Sequence, residues 1–157
     1  MLAATVERGE LDGVLFVNDS KATNAAAALR ALASFDGRRK HVILGGRGKA
    51  EPYDGLAAAF APGDRAYLIG EASETLGTAL RAEGVPVEEA GTLDRAVETA
   101  AAAAASGDVV LLSPACASFD QFTSFEHRGK EFRRLVQKLP GWGPNALPTE
   151  VSSSSGS

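Results

Sequence analysis

Cysteine is almost missing from this sequence. Cys116 stands alone in 157 residues, so no disulfide can form within the chain. A chain without disulfides suits a reducing cytoplasm, and a cytoplasmic location is the expectation. Long apolar runs are missing too. A membrane-spanning helix takes about 20 apolar residues, and the alanine-rich stretch Ala100–Ala105 is too short and too weakly hydrophobic to serve. Residues 1–13 carry Glu7, Arg8, Glu10 and Asp12 and have no apolar core of the secretory-signal kind. There is no sustained basic stripe. Lys and Arg total 16 against 20 Asp and Glu, a net charge of −4, so nucleic acid is not an expected partner, nor is membrane insertion. The one short basic run, Arg38-Arg39-Lys40, precedes an apolar segment and reads as a solvated turn. No internal repeat is present.

What remains is a soluble globular composition, 45% hydrophobic and 23% charged. At this length one domain buries a core without a metal or disulfide staple. Two signals alternate along it. Short β-branched runs read as strands over Val14–Val17, His41–Leu44, Arg65–Ile69, Val85–Glu88 and Asp108–Leu112. Alanine- and leucine-rich stretches read as helices over Asn24–Phe35, Asp54–Phe60, Ala72–Glu83, Leu93–Ala105 and Glu126–Leu139. The strands lack polar alternation, which both-face burial explains. The expected class is therefore α/β, a Rossmann-like, mostly parallel sheet with helices on both faces. From Pro140 the chain turns rich in Pro, Gly and Ser. The domain is expected to span 1–139, followed by a flexible tail over 140–157, with the docking of Trp142 left open.

Open α/β sheets bind ligands where strands end and helices begin, which directs attention to three loops. The first, Asn18-Asp19-Ser20-Lys21-Ala22-Thr23-Asn24, is polar and precedes an alanine-rich helix. Thr23 or Asn24 would cap that helix; a capped start with a solvated Lys21 and a ligand loop are equally good readings. The second, Gly45-Gly46-Arg47-Gly48-Lys49, resembles a phosphate loop but fails it. That motif needs glycine at Ile43 and Ser or Thr at Ala50. A ligand-free glycine turn fits these residues as well as a ligand site with Lys49 as its cation. The third runs from Ser113-Pro114-Ala115-Cys116-Ala117-Ser118-Phe119-Asp120 to Phe125-Glu126-His127-Arg128-Gly129, with Ser118 and Gln121 spaced as a capping box. Cys116 as a nucleophile with His41 or His127 as base is the weaker reading beside a simple buried thiol. The histidines and Cys116 share no zinc-ligand spacing.

Taken together and in this order, Asn-Asp-Ser-Lys-Ala-Thr-Asn (18–24), Leu-Gly-Gly with Lys49, and Ser-Pro-Ala-Cys-Ala-Ser-Phe-Asp with Phe-Glu-x-Arg-Gly (113–129) resemble one family. It is the C-terminal domain of the Mur ligases that add D-glutamate, the UDP-N-acetylmuramoyl-L-alanine:D-glutamate ligases. The resemblance covers about residues 10 to 139. It implies an ATP-dependent ligase of peptidoglycan synthesis, working through an acyl phosphate that the D-glutamate amine attacks, with magnesium screening the phosphates.

Carried onto this sequence, the resemblance gives Thr23 and Lys49 to one D-glutamate carboxylate, and Ser118 and the backbone N–H of Phe125 to the other. Asp19 is assigned to the ATP ribose and Lys21 to the phosphate or acyl-phosphate region. A dicarboxylate needs two separated anion sites with charged or helix-terminal donors. The family's upstream His-Arg pair, its phosphate loop, its carbamoylated lysine and its UDP-binding domain have no counterpart here, and Ala50-Glu51-Pro52-Tyr53-Asp54 departs from its usual segment. The chain is thus expected to be one domain of a longer enzyme and inactive alone. No catalytic residue and no metal ligand is assigned to it; magnesium and UDP-N-acetylmuramoyl-L-alanine fall to the other domains. The alternatives are another amino-acid ligase of the same superfamily and a non-catalytic nucleotide- or partner-binding module.

Overall fold

The chain enters its sheet through a hairpin. In the computed structural model, which describes residues 7–19, 25–35, 37–46, 54–70, 73–113, 125–139 and 149–150, β1 (Glu7–Leu11) pairs antiparallel with β2 (Val14–Asn18), from Leu11↔Val14 to Glu7↔Asn18. Asp12 and Gly13 form the turn, with φ of 54° and 81°. Two successive positive φ values mark a type I′ turn, whose twist matches that of the flanking strands. The sequence reading places no strand before Val14, because Glu7, Arg8 and Glu10 look unlike a buried strand. The overlooked signal is the Asp-Gly pair itself.

Five strands run parallel: β2, β3 (Lys40–Gly45), β4 (Arg65–Ile69), β5 (Val87–Gly91) and β6 (Val109–Leu112). The sheet order is β5-β4-β3-β6-β2-β1-β7, where β7 is Thr149–Glu150. Between the strands lie α1 (Ala25–Ala33), α2 (Asp54–Ala57), α3 (Ser73–Ala82), α4 (Leu93–Ala103) and α5 (Phe125–Gln137). The α/β class read from the sequence is the class observed. β7 falls inside the stretch expected to be a flexible tail and pairs with Arg8 and Glu7; residues 140–148 and 151–157 lie outside the described residues. Strand β5 starts two residues later than expected, because Pro86 has no N–H to give to a ladder, although its carbonyl accepts from Ala66 N–H at 3.0 Å.

Side chains alternate across a strand, and here both sides are apolar. On one face Val17, Val42, Leu44, Leu68 and Leu111 pack on Ala28 and Leu32 of α1, Leu56 of α2, and Leu76 and Leu80 of α3. On the other, Phe16, Ile43, Tyr67, Val110 and Leu112 pack on Ala96, Val97 and Ala100 of α4 and on Phe132 and Val136 of α5. Every residue of β6 is fully buried, and each such side chain contributes roughly 1.5–3 kcal/mol. The division of helices follows from handedness. The chain steps from β2 to β5 in one direction, keeping α1–α3 on one face. It then turns back, and a right-handed crossover in the reverse direction puts α4 on the opposite face. That return inserts β6 between β3 and β2.

The amino edge of the sheet holds buried charge. Lys40 is not in the solvated turn expected of it: its Nζ lies 3.0 Å from Asp64 Oδ2, with both side chains 1% exposed. Asp64 also accepts from the backbone N–H of Lys40 at 2.8 Å and of Ala61 at 2.7 Å. These bonds satisfy a carboxylate that burial alone would make costly. Beside it, Asp108 Oδ2 meets His41 Nε2 at 2.9 Å and accepts from Arg39 Nε at 3.0 Å and Ala105 N–H at 2.9 Å. Burial acts to raise the Asp108 pKa. The hydrogen bonds from Ala105, His41 and Arg39 outweigh it and hold the carboxyl below its ordinary value.

A carboxyl with a depressed native pKa stabilises the fold above its unfolded value, about 3.9, and loses that contribution as pH falls through the native value. Asp108→Asn is expected to cost about 1.5–3 kcal/mol at neutral pH, the size of a charged hydrogen bond. Urea denaturation of both proteins from pH 7 to pH 3 should show the gap closing below about pH 4. A gap that stays constant would mean that the charge of Asp108 contributes nothing.

Candidate functional site

The carboxyl ends of β2, β6 and β3 lie side by side. Leu112 pairs with Asn18 on one side and Ile43 on the other, so the three strands end nearly level. The ladder continues one residue beyond β6 and β2. Asp19 N–H donates to the Leu112 carbonyl at 2.8 Å, and Ser113 N–H to the Ile43 carbonyl at 3.2 Å. The first residues of two of the three loops singled out in the sequence are thereby fixed beside each other. The remaining loop leaves from the end of β3 through Gly45, where φ is 130° and a Cβ would overlap the Ile69 carbonyl oxygen. Glycine is required there by both conformation and close approach.

The loops after β2 and β3 lead to helices on one face, and the loop after β6 leads to α5 on the other. The mouth is therefore a topological switch point, where departing loops separate and leave a crevice. Helix α5 is aimed at this mouth by two buried side chains. Asn18 Nδ2 donates to the Gly129 carbonyl at 2.9 Å. Arg128, fully buried, places Nη1 3.5 Å from the Gly45 carbonyl oxygen. Both contacts join the first two turns of α5 to the strand ends. Among the described residues the Ser113 hydroxyl, also fully buried, has no hydrogen-bond partner.

Of the residues predicted for the site, Asp19 stands at the mouth, half-buried. Phe125 is the first residue of α5, so its N–H belongs to the first turn, which has no acceptor within the helix. Lys21, Thr23, Lys49 and Ser118 lie outside the described residues, as does Cys116. The structure therefore brings together the roots of their loops and the start of α5. His41, weighed as a partner for Cys116, sits in the amino half of β3 with its ring nitrogens on Tyr67 Oη and Asp108 Oδ2, both at 2.9 Å. His127 is exposed on α5. Among the described residues no group of three or more His, Cys, Asp or Glu could hold a metal ion.

Two positioning residues escaped the sequence reading. The sequence places Asn18 in a polar loop, yet it is the last residue of β2 and is buried. Arg128 belongs to the Phe-Glu-x-Arg-Gly motif, in which the sequence reading assigns the arginine no role. A signal was available: Arg128 precedes Phe132 and Val136 by one and two helical turns, which puts it on the buried stripe of α5.

The class defined by this arrangement is the open α/β sheet with a switch-point crevice at the carboxyl ends of its central parallel strands, the place where such sheets generally bind ligands. Comparison with known proteins makes it specific. Residues 5–116 match the family described as Mur ligase, glutamate ligase domain. The chain belongs to the Mur ligase family, as its C-terminal domain. It is 48% identical over 131 residues to the UDP-N-acetylmuramoylalanine–D-glutamate ligase of Zymomonas mobilis, covering 83% of this chain and 29% of that protein. It is 52% identical over 135 residues to the ligase of the same name from Nitrobacter winogradskyi, covering 83% of this chain and 28% of that one. The chain thus spans under a third of the length of these relatives. Among solved structures, a murein peptide ligase from Psychrobacter arcticus superposes with a TM-score of 0.60 at 16% identity, over 83% of this chain and 29% of that one. A MurF ligase from Thermotoga maritima in complex with ADP gives 0.58 at 16% identity, over 88% and 31%. At that identity the two structures establish a shared fold.

Gly45→Ala tests how tightly the mouth is built. A strained backbone position costs about 1–3 kcal/mol, and the overlap with the Ile69 carbonyl adds to it. The variant is expected to lose at least about 1 kcal/mol in urea denaturation. An unchanged midpoint would show that β3 and β4 do not need this close approach.

Proposed function

We propose that this chain is the amino-acid-binding domain of an ATP-dependent ligase that joins D-glutamate to UDP-N-acetylmuramoyl-L-alanine in peptidoglycan synthesis. The observation that carries the reading is the adjacency of β2, β6 and β3 at the switch point. Three loops far apart in sequence, with the residue types that a dicarboxylate and a nucleotide require, leave from one crevice. The relatives bear the name of this activity, and their identity to the chain is far above that of the structural neighbours.

In this reading Lys49 and Thr23 bind one carboxylate of D-glutamate, the lysine through a charge-assisted hydrogen bond. Ser118 and the Phe125 N–H bind the other, and the N-terminus of α5 adds the positive end of its dipole. Holding both carboxylates fixes the direction of the amine, which is the nucleophile. Asp19 accepts from the ATP ribose hydroxyls, a role suited to a carboxylate at a switch-point crevice, and Lys21 approaches the phosphates. ATP supplies the phosphoryl group that activates the substrate carboxylate as an acyl phosphate. Magnesium would screen the phosphate charge, and its ligands are assigned to the rest of the enzyme.

The chain by itself is expected to be inactive. Incubated with ATP, magnesium, D-glutamate and the UDP-linked precursor, it should form no product; substrate-dependent ADP release by the pure chain would refute the division of labour. In the full-length ligase, Lys49→Ala is expected to lower kcat/KM for D-glutamate by roughly 10- to 150-fold, the equivalent of about 1.5–3 kcal/mol for a charged hydrogen bond. Ser118→Ala should lower it by about 2- to 13-fold, as for a neutral one. The KM for the UDP-linked precursor should barely move in either. Unchanged D-glutamate kinetics, with Ser118→Ala lowering only the melting temperature, would reduce these residues to a solvated charge and a helix cap.

A further inference from the structure

Asn18 interrupts an apolar stripe. Side chains alternate across a strand, so Val14, Phe16 and Asn18 of β2 face the same way, toward α4 and α5. Val14 and Phe16 are buried in the cluster that holds Phe132 and Val136 of α5. Asn18 is the next rung, 7% exposed, and here the contact with α5 turns polar: Nδ2 donates to the Gly129 carbonyl at 2.9 Å. The amide nitrogen is the group that must face Gly129, since a carbonyl oxygen only accepts. That carbonyl lies within α5, where the helix supplies it with an N–H four residues on. Asn18 therefore adds a bond to an acceptor already served. What the bond adds is direction. Apolar burial is non-directional and tolerates small shifts of a helix along its axis, whereas a hydrogen bond weakens outside a narrow range of distance and angle.

The strand end that carries Asn18 is held on both sides. Asn18 pairs with Leu112 and with Glu7, and the next N–H, that of Asp19, bonds the Leu112 carbonyl at 2.8 Å. The second tie from α5, Arg128 Nη1 to the Gly45 carbonyl oxygen, is longer at 3.5 Å. Gly129 stands one helical turn after Phe125, the first residue of α5. The Asn18 bond thus sets how far the Phe125 N–H stands beyond the strand ends. We infer that Asn18 is a positioning residue for D-glutamate: by tying α5 to β2 it sets the distance between the carboxylate position at Phe125 and Ser118 and the one at Lys49 and Thr23. The inference rests on the function proposed above. Asp19 is held by its own main-chain bond, so the nucleotide contact does not depend on the Asn18 amide.

Two variants of the full-length ligase test this. Asn18→Leu keeps the branch at Cγ and suits a buried position. Asn18→Asp keeps the shape and turns an acceptor toward the Gly129 carbonyl. Each is expected to raise the KM for D-glutamate by about 2- to 13-fold, the fold-change equivalent to one neutral hydrogen bond. The KM values for ATP and for the UDP-linked precursor should not change. Hydrogen exchange should quicken in the first two turns of α5 and stay unchanged in α3, on the opposite face of the sheet. The leucine variant buries no charge, so it carries the test if the aspartate variant does not fold. An unchanged D-glutamate KM, in an enzyme whose wild type uses D-glutamate, overturns this inference and leaves the proposed function standing. Three KM values that rise together, or a lower melting temperature with all three unchanged, make Asn18 a structural residue and also overturn it. A wild-type ligase that does not use D-glutamate overturns the proposed function, and this inference with it.

Discussion

The insertion of β6 between β2 and β3 is the constraint on which the rest of this domain depends. β6 is four residues of Val and Leu, all fully buried, bonded to parallel neighbours on both sides. A strand in that position must be covered on both faces. The chain meets this by reversing direction after β5, which sends α4 and α5 to the face that α1–α3 leave bare. The same reversal parts the loops at the carboxyl edge. The crevice is thus a by-product of completing the core, and the ligand groups need only line it.

The two edges of the sheet treat polar groups in opposite ways. At the amino edge, buried charges are paired locally: Lys40 with Asp64, and His41 and Arg39 with Asp108. Buried charge left unpaired costs several kcal/mol, and the local pairing removes that cost. At the carboxyl edge the main-chain ladder is run to its end and then opened into loops, with α5 beginning at the mouth. Helix N-termini and strand ends leave donors without internal partners, which is what an anionic ligand requires. Asn18 and Arg128 serve this edge from below by fixing α5 to the strand ends. Their contribution is the orientation of α5.

The structural neighbours at 16% identity share the sheet and the covering helices, while relatives near 50% identity carry a common D-glutamate ligase name. This contrast has a physical origin. A core tolerates exchange among apolar residues of similar volume, so the fold survives wide divergence. A site depends on particular donors at particular places. In the sequence, the loops around 18–24, 45–49 and 113–129 carry the resemblance to one kind of ligase, where strand and helix patterns alone indicate only an α/β sheet.

Most of the secondary structure was legible along the chain, because helix and strand periodicities are local. The apolar runs of β2, β3, β4 and β6 and the alanine-rich helices announce themselves within a few residues. Strand β1 did not, since a strand beside the two-residue edge strand β7, carrying Glu7, Arg8 and Glu10, need bury only part of itself; only Asp12-Gly13 marked it. The chemistry of the three loops could also be read directly, as residue type and spacing. Tertiary structure alone decided which strands are neighbours, that Lys40 is buried on Asp64 rather than solvated, and that Arg128 reaches Gly45 across 83 residues of chain. Pairing between distant segments depends on how the whole sheet closes its core. No local window of sequence contains the free energy that makes that choice.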